Sequence, residues 1–222
     1  MKIIDEIQKI ILGYPVGEPI FSKDIVKVIS GTNDLPLSSV SKYVPVAFRR
    51  LMDKGIKVKR FEKGIYYRYE NCPFGETGIN KNKIIAKKYL QGNRGYETGP
   101  AVLHAMGFTT LMSNVPRAFV SNAAARRSFT DKKFNIKIIK PKTLLSEKNI
   151  RYFQFLDLLK LIDEIPIDNE HPEIFLKKFV ELYDLKPDII VLNAHKFYNK
   201  NILEAVMSVV FGQKKENPPK TV

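Results

Sequence analysis

From Lys57 to Tyr69 the chain reads KVKRFEKGIYYRY, and its side chains alternate in character with a period of two. Ile56, Val58 and Arg60 fall on one face, Lys57, Lys59 and Phe61 on the other. After Glu62-Lys63-Gly64 the alternation resumes, with Ile65, Tyr67 and Tyr69 opposite Tyr66 and Arg68. A period of two fits a strand and not a helix, and Gly64 is free to take the positive φ of a tight turn. The stretch predicts a two-stranded basic ribbon, held to neighbouring helices by Ile65 and Tyr67. The following NCPFGETG reads as a hinge.

Three helices are predicted before the ribbon. Ile3, Ile7, Ile10 and Ile11 share one face of a first helix, ended by Gly13 and Pro15. A short extended piece, Pro19-Ile20-Phe21, leads to Ser22, expected as the N-cap of SKDIVKVIS, with Gly31 as its stop. Proline is tolerated in a first turn but breaks a helix interior. Pro45 therefore places the start of the third helix near Ser41, running to Gly55 with Val44, Ala47, Phe48 and Leu51 inward.

Charge narrows the partner. Thirty-seven basic against 23 acidic residues give +14, which favours a polyanion. The excess lies before residue 146, and the last third is near neutral. Three helices, a short strand and a basic ribbon follow the order of a winged helix-turn-helix domain, whose third helix enters the major groove. The DNA-facing residues are then Lys42, Tyr43, Arg49 and Arg50 on the helix, and Lys57, Lys59, Arg60, Lys63 and Arg68 on the ribbon. A solvated basic face on a plain helical bundle is the alternative.

Ala47-Phe48-Arg49-Arg50-Leu51, Asp53-Lys54-Gly55-Ile56, Lys59-Arg60 and Lys63-Gly64-Ile65-Tyr66-Tyr67 together resemble the winged-helix segment of AbiEi-type antitoxins of type IV toxin–antitoxin systems. Pro73-Phe74-Gly75-Glu76 is similar to the family's F-G-E linker, and GYETGPAVLHAMGFTTLMSNVP to its second-domain segment. The order of these motifs over residues 1–145 carries the resemblance. Phe48 stands where leucine is usual, Pro45 interrupts the helix start, and Met112-Ser113-Asn114 replaces the usual glutamine before Val115-Pro116. The resemblance implies an autorepressor that binds inverted repeats in its operon's promoter and, through its C-terminal domain, counters a nucleotidyltransferase-like toxin. Double-stranded operator DNA, that toxin and a second copy on DNA are the partners it implies.

The expected organisation is α+β: a winged helix-turn-helix over residues 1–72, a mixed α/β antitoxin domain over 73–212 ending in a helical cluster, and a disordered tail, 213–222. Within the second domain a basic part, 73–145, precedes a helical part, 146–212. NKNKIIAKKYLQ reads as one basic helix with Ile84, Ile85 and Leu90 inward, and Gly92, Gly95 and Gly99 as the bounds of a turn. Pro100 opens the helix PAVLHAMG, capped by Thr98 or Gly99. AFVSN and NIKIIK read as strands. Arg126, Arg127, Lys132, Lys133 and Lys137, with Lys140 and Lys142 beyond, form a basic cluster suited to DNA phosphates or to an acidic protein surface. Four helical segments follow from Ile150, with Pro172 and Pro187 in first turns.

No enzyme is expected. Pro187-Asp188 upstream of Lys196 has part of a metal-nuclease arrangement, but Ala194 stands where the second acid belongs. His104, His171 and His195 form no ligand pair, so no metal or cofactor is expected. The single Cys72 permits no internal disulfide and suits a reducing cytoplasm. Asp5, Glu6 and Lys9 interrupt the apolar N-terminus, so neither a signal peptide nor a membrane span is expected. A winged-helix regulator with no toxin, whose C-terminal domain senses a ligand or oligomerises, is the alternative reading.

Overall fold

A computed structural model of the chain describes residues 3–110, 115–169 and 171–212. Residues 112–114 and the expected tail 213–222 lie outside the described residues. The chain divides into two units, residues 1–85 and 86–222. Both mix helix and strand, so the protein is α+β. No described helix is long and apolar enough to cross a membrane.

In the first unit, α1 (Ile3–Gly13) buries Ile7 and Ile11. Strand β1 (Pro19–Phe21) runs directly into α2 (Ser22–Asn33). Ser22 is the first helical residue and Phe21 the N-cap, without a side-chain cap hydrogen bond. Nor does Gly31 end the helix: Thr32 and Asn33 donate side-chain hydrogen bonds to the carbonyls of Val28 and Ile29, at 2.9 and 3.1 Å. Termination falls to Asp34, which adopts left-handed φ 49°.

The third helix corrects the expected start near Ser41. α3 spans Leu37–Asp53 with Pro36 as N-cap, so Pro45 is interior. A proline there costs about 3 kcal/mol. Burial on both sides of it outweighs that loss, because Val40 and Val44 are buried with Ala47, Phe48 and Leu51, and a buried valine contributes roughly 1.5–3 kcal/mol. Tertiary packing thus extends the helix across a residue that local propensity would place in its first turn.

The ribbon forms as β2 (Val58–Glu62) and β3 (Ile65–Arg68), antiparallel, with β1 on the far side of β3. The register slips between Arg60 and Glu62, a bulge that interrupts simple alternation. Tyr66, rather than Tyr67, anchors the ribbon: Ile65 and Tyr66 are buried and Tyr67 is only half-buried. The Tyr66 ring stacks on Phe48 with centroids 3.9 Å apart and planes within 6°.

The expected hinge and the boundary after Cys72 lie inside the first unit. A small hairpin, β4 (Asn71–Cys72) and β5 (Gly75–Glu76), is followed by α4 (Lys81–Ile85). The Asn80 amide donates to the Gly17 carbonyl at 2.8 Å, and Lys83 pairs with Glu18 at 2.5 Å, tying this segment to the residues before β1.

The second unit begins with a π-helical turn, Ala86–Leu90. Tyr89 in this turn is buried, and Leu90, the expected position, is only half-buried. Strand β6 (Gly95–Thr98) forms where a turn was expected. A Cβ on Gly95 would strike the carbonyl oxygens of Tyr89 and Val120, so glycine is what lets the backbones close here. α5 (Pro100–Ala105) has Gly99 as its N-cap. Then come β7 (Ala118–Ser121), β8 (Phe129–Asp131) and β9 (Ile136–Ile139), in a sheet of order β6-β7-β9-β8 with β7 and β9 parallel. The short strand β8 falls within AAARRSFTDKK, which carries no alternating pattern.

α6 (Ile150–Glu164), α7 (Pro172–Leu182), α8 (Pro187–Phe197) and α9 (Lys200–Phe211) complete the unit. α6 is buried on two sides. Ile150 and Phe153 pack with Tyr96 and Val120 of the sheet, while Phe155, Leu156 and Leu159 pack with Ile190, Ile202 and Val206 of the other helices. The expected basic and helical parts therefore share α6 as a common core element.

Candidate nucleic-acid interface

The inward stripe of α3 fixes what points outward. Residues one turn apart stack along a helix face. Lys42, Val46, Arg49 and Asp53 form the exposed row opposite Val44, Ala47 and Leu51. Tyr43 and Arg50 lie on a flank of that row. Tyr43 is half-buried against the first unit's core, and Arg50 borders an open groove with Asp5, Asp53 and Lys54. Of this pair, Arg50 keeps its charged head exposed.

The ribbon separates its cations into engaged and free. Lys59 pairs with Glu76 of β5 and lies 4.6 Å above the Tyr69 ring. That carboxylate pushes the Lys59 pKa up. The Arg60 Nε donates to the Glu62 carbonyl at 3.3 Å, across the bulge. Arg68 is used structurally: its Nη1 donates to the carbonyls of Leu12 and Tyr14 at 2.9 and 2.8 Å, holding the end of α1 to the sheet. Lys57 and Lys63 are exposed, and among the described residues neither makes an ion pair. The same holds for Lys42, Arg49 and Arg50. Five cations, three on α3 and two beside β2 at its start and in the β2–β3 turn, are thus available to an outside anion without breaking an internal contact.

In the second unit the basic cluster is spread over several elements. Arg126 and Arg127 are exposed just after the 3-10 turn Asn122–Ala124. Lys132 and Lys133 sit in the β8–β9 turn, where the Lys133 amide donates to the Asp131 carboxylate at 3.0 Å. Lys137 is exposed on β9 between the buried Ile136 and Ile138. Lys140 and Lys142 follow β9 and line a cavity against α6.

Sequence reasoning did not find the polar centre of this unit. Asp157 of α6 accepts hydrogen bonds from the hydroxyls of Tyr96 and Tyr198, each at 2.6 Å. Burial raises the Asp157 pKa above the usual carboxylate range, against the opposing effect of those two hydrogen bonds. Burial likewise pushes both tyrosines up. The three residues come from β6, α6 and the end of α8, and nothing local marks them as a set.

Neither a protein-family model, nor a curated protein, nor a solved structure matches this chain.

Proposed function

We propose that the first unit is a winged helix-turn-helix that binds duplex DNA, with α3 as its recognition helix and β2–β3 as its wing. The observation that carries this reading is the set of five unpaired cations, Lys42, Arg49, Arg50, Lys57 and Lys63, on those two elements. The element order α1-β1-α2-α3-β2-β3 supports it. So does the short Asp34-Leu35-Pro36 connection between α2 and α3, of the length such motifs use. Lys42, Val46 and Arg49 are spaced by about one helical turn, roughly 5 Å, within a major groove about 12 Å wide. Lys57 and Lys63 contact phosphates in this reading, and Lys59 and Arg60 reinforce the wing from within.

The protein is then a transcriptional autorepressor that acts on inverted repeats upstream of its own gene. It is also an antitoxin of the AbiEi type, whose second unit counters a nucleotidyltransferase-like toxin. The resemblance of residues 47–76 and 95–116 to that family supports this part, and the non-enzymatic, cytoplasmic assignment goes with it. Gel-shift of the full chain on its upstream DNA tests the first part, and co-expression with the neighbouring gene, scored for growth with and without residues 86–222, tests the second. No retarded complex, or no rescue that depends on those residues, refutes the corresponding part.

A second reading is favoured by one observation, the cavity beside Lys140 and Lys142. In it the protein is a winged-helix regulator without a toxin, whose second unit senses a small ligand.

A further inference from the structure

The cavity between the β6-β7-β9 side of the sheet and α6 encloses about 330 Å³, the lower end of the range that small-molecule sites occupy, roughly 300–1,000 Å³. Its wall combines two chemistries. Val120, Ile139 and Leu161 make an apolar side. Hydroxyl and ammonium groups line the rest of it.

Carboxylates line it too, but each has a partner. Asp157 holds the two tyrosine hydroxyls, and Glu164 lies 3.6 Å from the Lys160 ammonium. The lysines after β9 are different. Lys140 makes no side-chain ion pair among the described residues. Lys142 meets only the face of the Tyr198 ring, at 4.4 Å, within the field of Asp157. The two flank Pro141, which is buried and holds that turn of chain against the unit.

Thr98 supplies an independent sign. It is 7% exposed and lines the same cavity. Among the described residues its hydroxyl makes no hydrogen bond. No fully buried side-chain polar atom among the described residues lacks a partner, so this hydroxyl is not sealed off and is free to donate to an incoming acceptor.

We propose that this cavity binds a small phosphate monoester with an apolar or aromatic body: the phosphate between the Lys140 and Lys142 ammoniums, accepting from Thr98, and the body against Val120, Ile139 and Leu161. A monoester carries close to two negative charges at neutral pH, matching two ammoniums that make no ion pair among the described residues. Asp157 holds Tyr96 and Tyr198 in place, and the ring under Lys142 fixes the direction of that lysine. The site uses neither Arg126, Arg127, Lys132 nor Lys133, and it goes beyond the DNA-binding reading without depending on it.

Isothermal titration of the full chain tests the proposal with adenosine 5′-monophosphate and phenyl phosphate as probes and adenosine as the uncharged control. Both monoesters are expected to bind saturably, and adenosine at least tenfold more weakly. Lys140→Ala/Lys142→Ala is expected to lower monoester affinity tenfold or more while Arg126→Ala/Arg127→Ala leaves it unchanged. Thr98→Val serves as a second variant, with a smaller loss of about threefold, its fold checked by circular dichroism. Absence of saturable binding by both monoesters overturns the proposal, as does equal binding of adenosine and its monophosphate. So does a lysine pair whose removal weakens duplex DNA binding and leaves monoester binding intact, since those lysines would then be DNA backbone contacts.

Discussion

The division of the ribbon's cations into free and engaged predicts how DNA affinity responds to salt. Each phosphate neutralised on duplex DNA contributes about 0.9 to the slope of log affinity against log salt. Among the described residues, Lys42, Arg49, Arg50, Lys57 and Lys63 are the cations of the proposed interface whose side chains make neither an ion pair nor a hydrogen bond. If all five meet phosphates, one copy of the chain has a slope near −4.5, and affinity falls about 500-fold between 50 and 200 mM salt. Lys57→Ala/Lys63→Ala then brings the slope to about −2.7, a loss of only about 40-fold over the same range. Lys59→Ala is the informative control, because that ammonium is already held by Glu76; its removal is expected to change the slope by less than about 0.5. Fluorescence anisotropy with a labelled duplex at four salt concentrations measures all three. A Lys59 effect as large as that of Lys57 and Lys63 together, or a double variant with the wild-type slope, refutes the assignment of free and engaged charges.

Two further predictions concern the frame that holds these surfaces. Asp157 has a folded-state pKa raised by burial, so the folded state holds its proton more tightly than the unfolded chain does. The associated stability is fully present below the ordinary carboxylate pKa and is lost as pH rises through the raised value; relative to Asp157→Asn, the wild-type Tm should fall over that window, and a parallel pH profile for the two proteins would contradict it. Phe48→Leu keeps an apolar side chain but removes the stack on Tyr66. It should destabilise the first unit by about 1–2 kcal/mol in urea unfolding, and an unchanged midpoint would show that the stack contributes nothing.

Much of the first unit was legible because its signals are local and periodic. The stripe of α1 and the alternation around Gly64 place α1, β2 and β3 within a residue or two of their positions. Local rules failed where long-range packing overrode them. Pro45 reads as a helix start, yet Val40 and Val44 bury before it and Ala47, Phe48 and Leu51 after it. Gly31 reads as a stop, yet the chain continues helically to Asn33. In the second unit β6 was hidden by Gly95 and Gly99, which looked like turn residues; Gly95 is required by the approach of two carbonyls that only the folded sheet brings together. Tyr89 is buried four residues after Ile85, in a stretch where Leu90 reads as the apolar position.

The candidate surface divides in the same way. Which residues are basic is plain in the chain. Which of them are free depends on partners far away in sequence: Glu76 for Lys59, and the Leu12 and Tyr14 carbonyls for Arg68. The Asp157, Tyr96 and Tyr198 set joins three distant segments and carries no motif. Helical cluster and first-turn prolines, by contrast, were readable, since Pro172 and Pro187 open α7 and α8.

The central claim is that the outward row of α3 reads DNA, and it is tested most directly by the affinity of Arg49→Ala/Arg50→Ala for duplex carrying the gene's own upstream sequence. Both arginines are exposed and outside the buried stripe, so the variant should keep its circular dichroism spectrum and urea midpoint. A loss of at least 30-fold, about 2 kcal/mol, is the predicted result, and an unchanged dissociation constant in a folded variant would contradict the account.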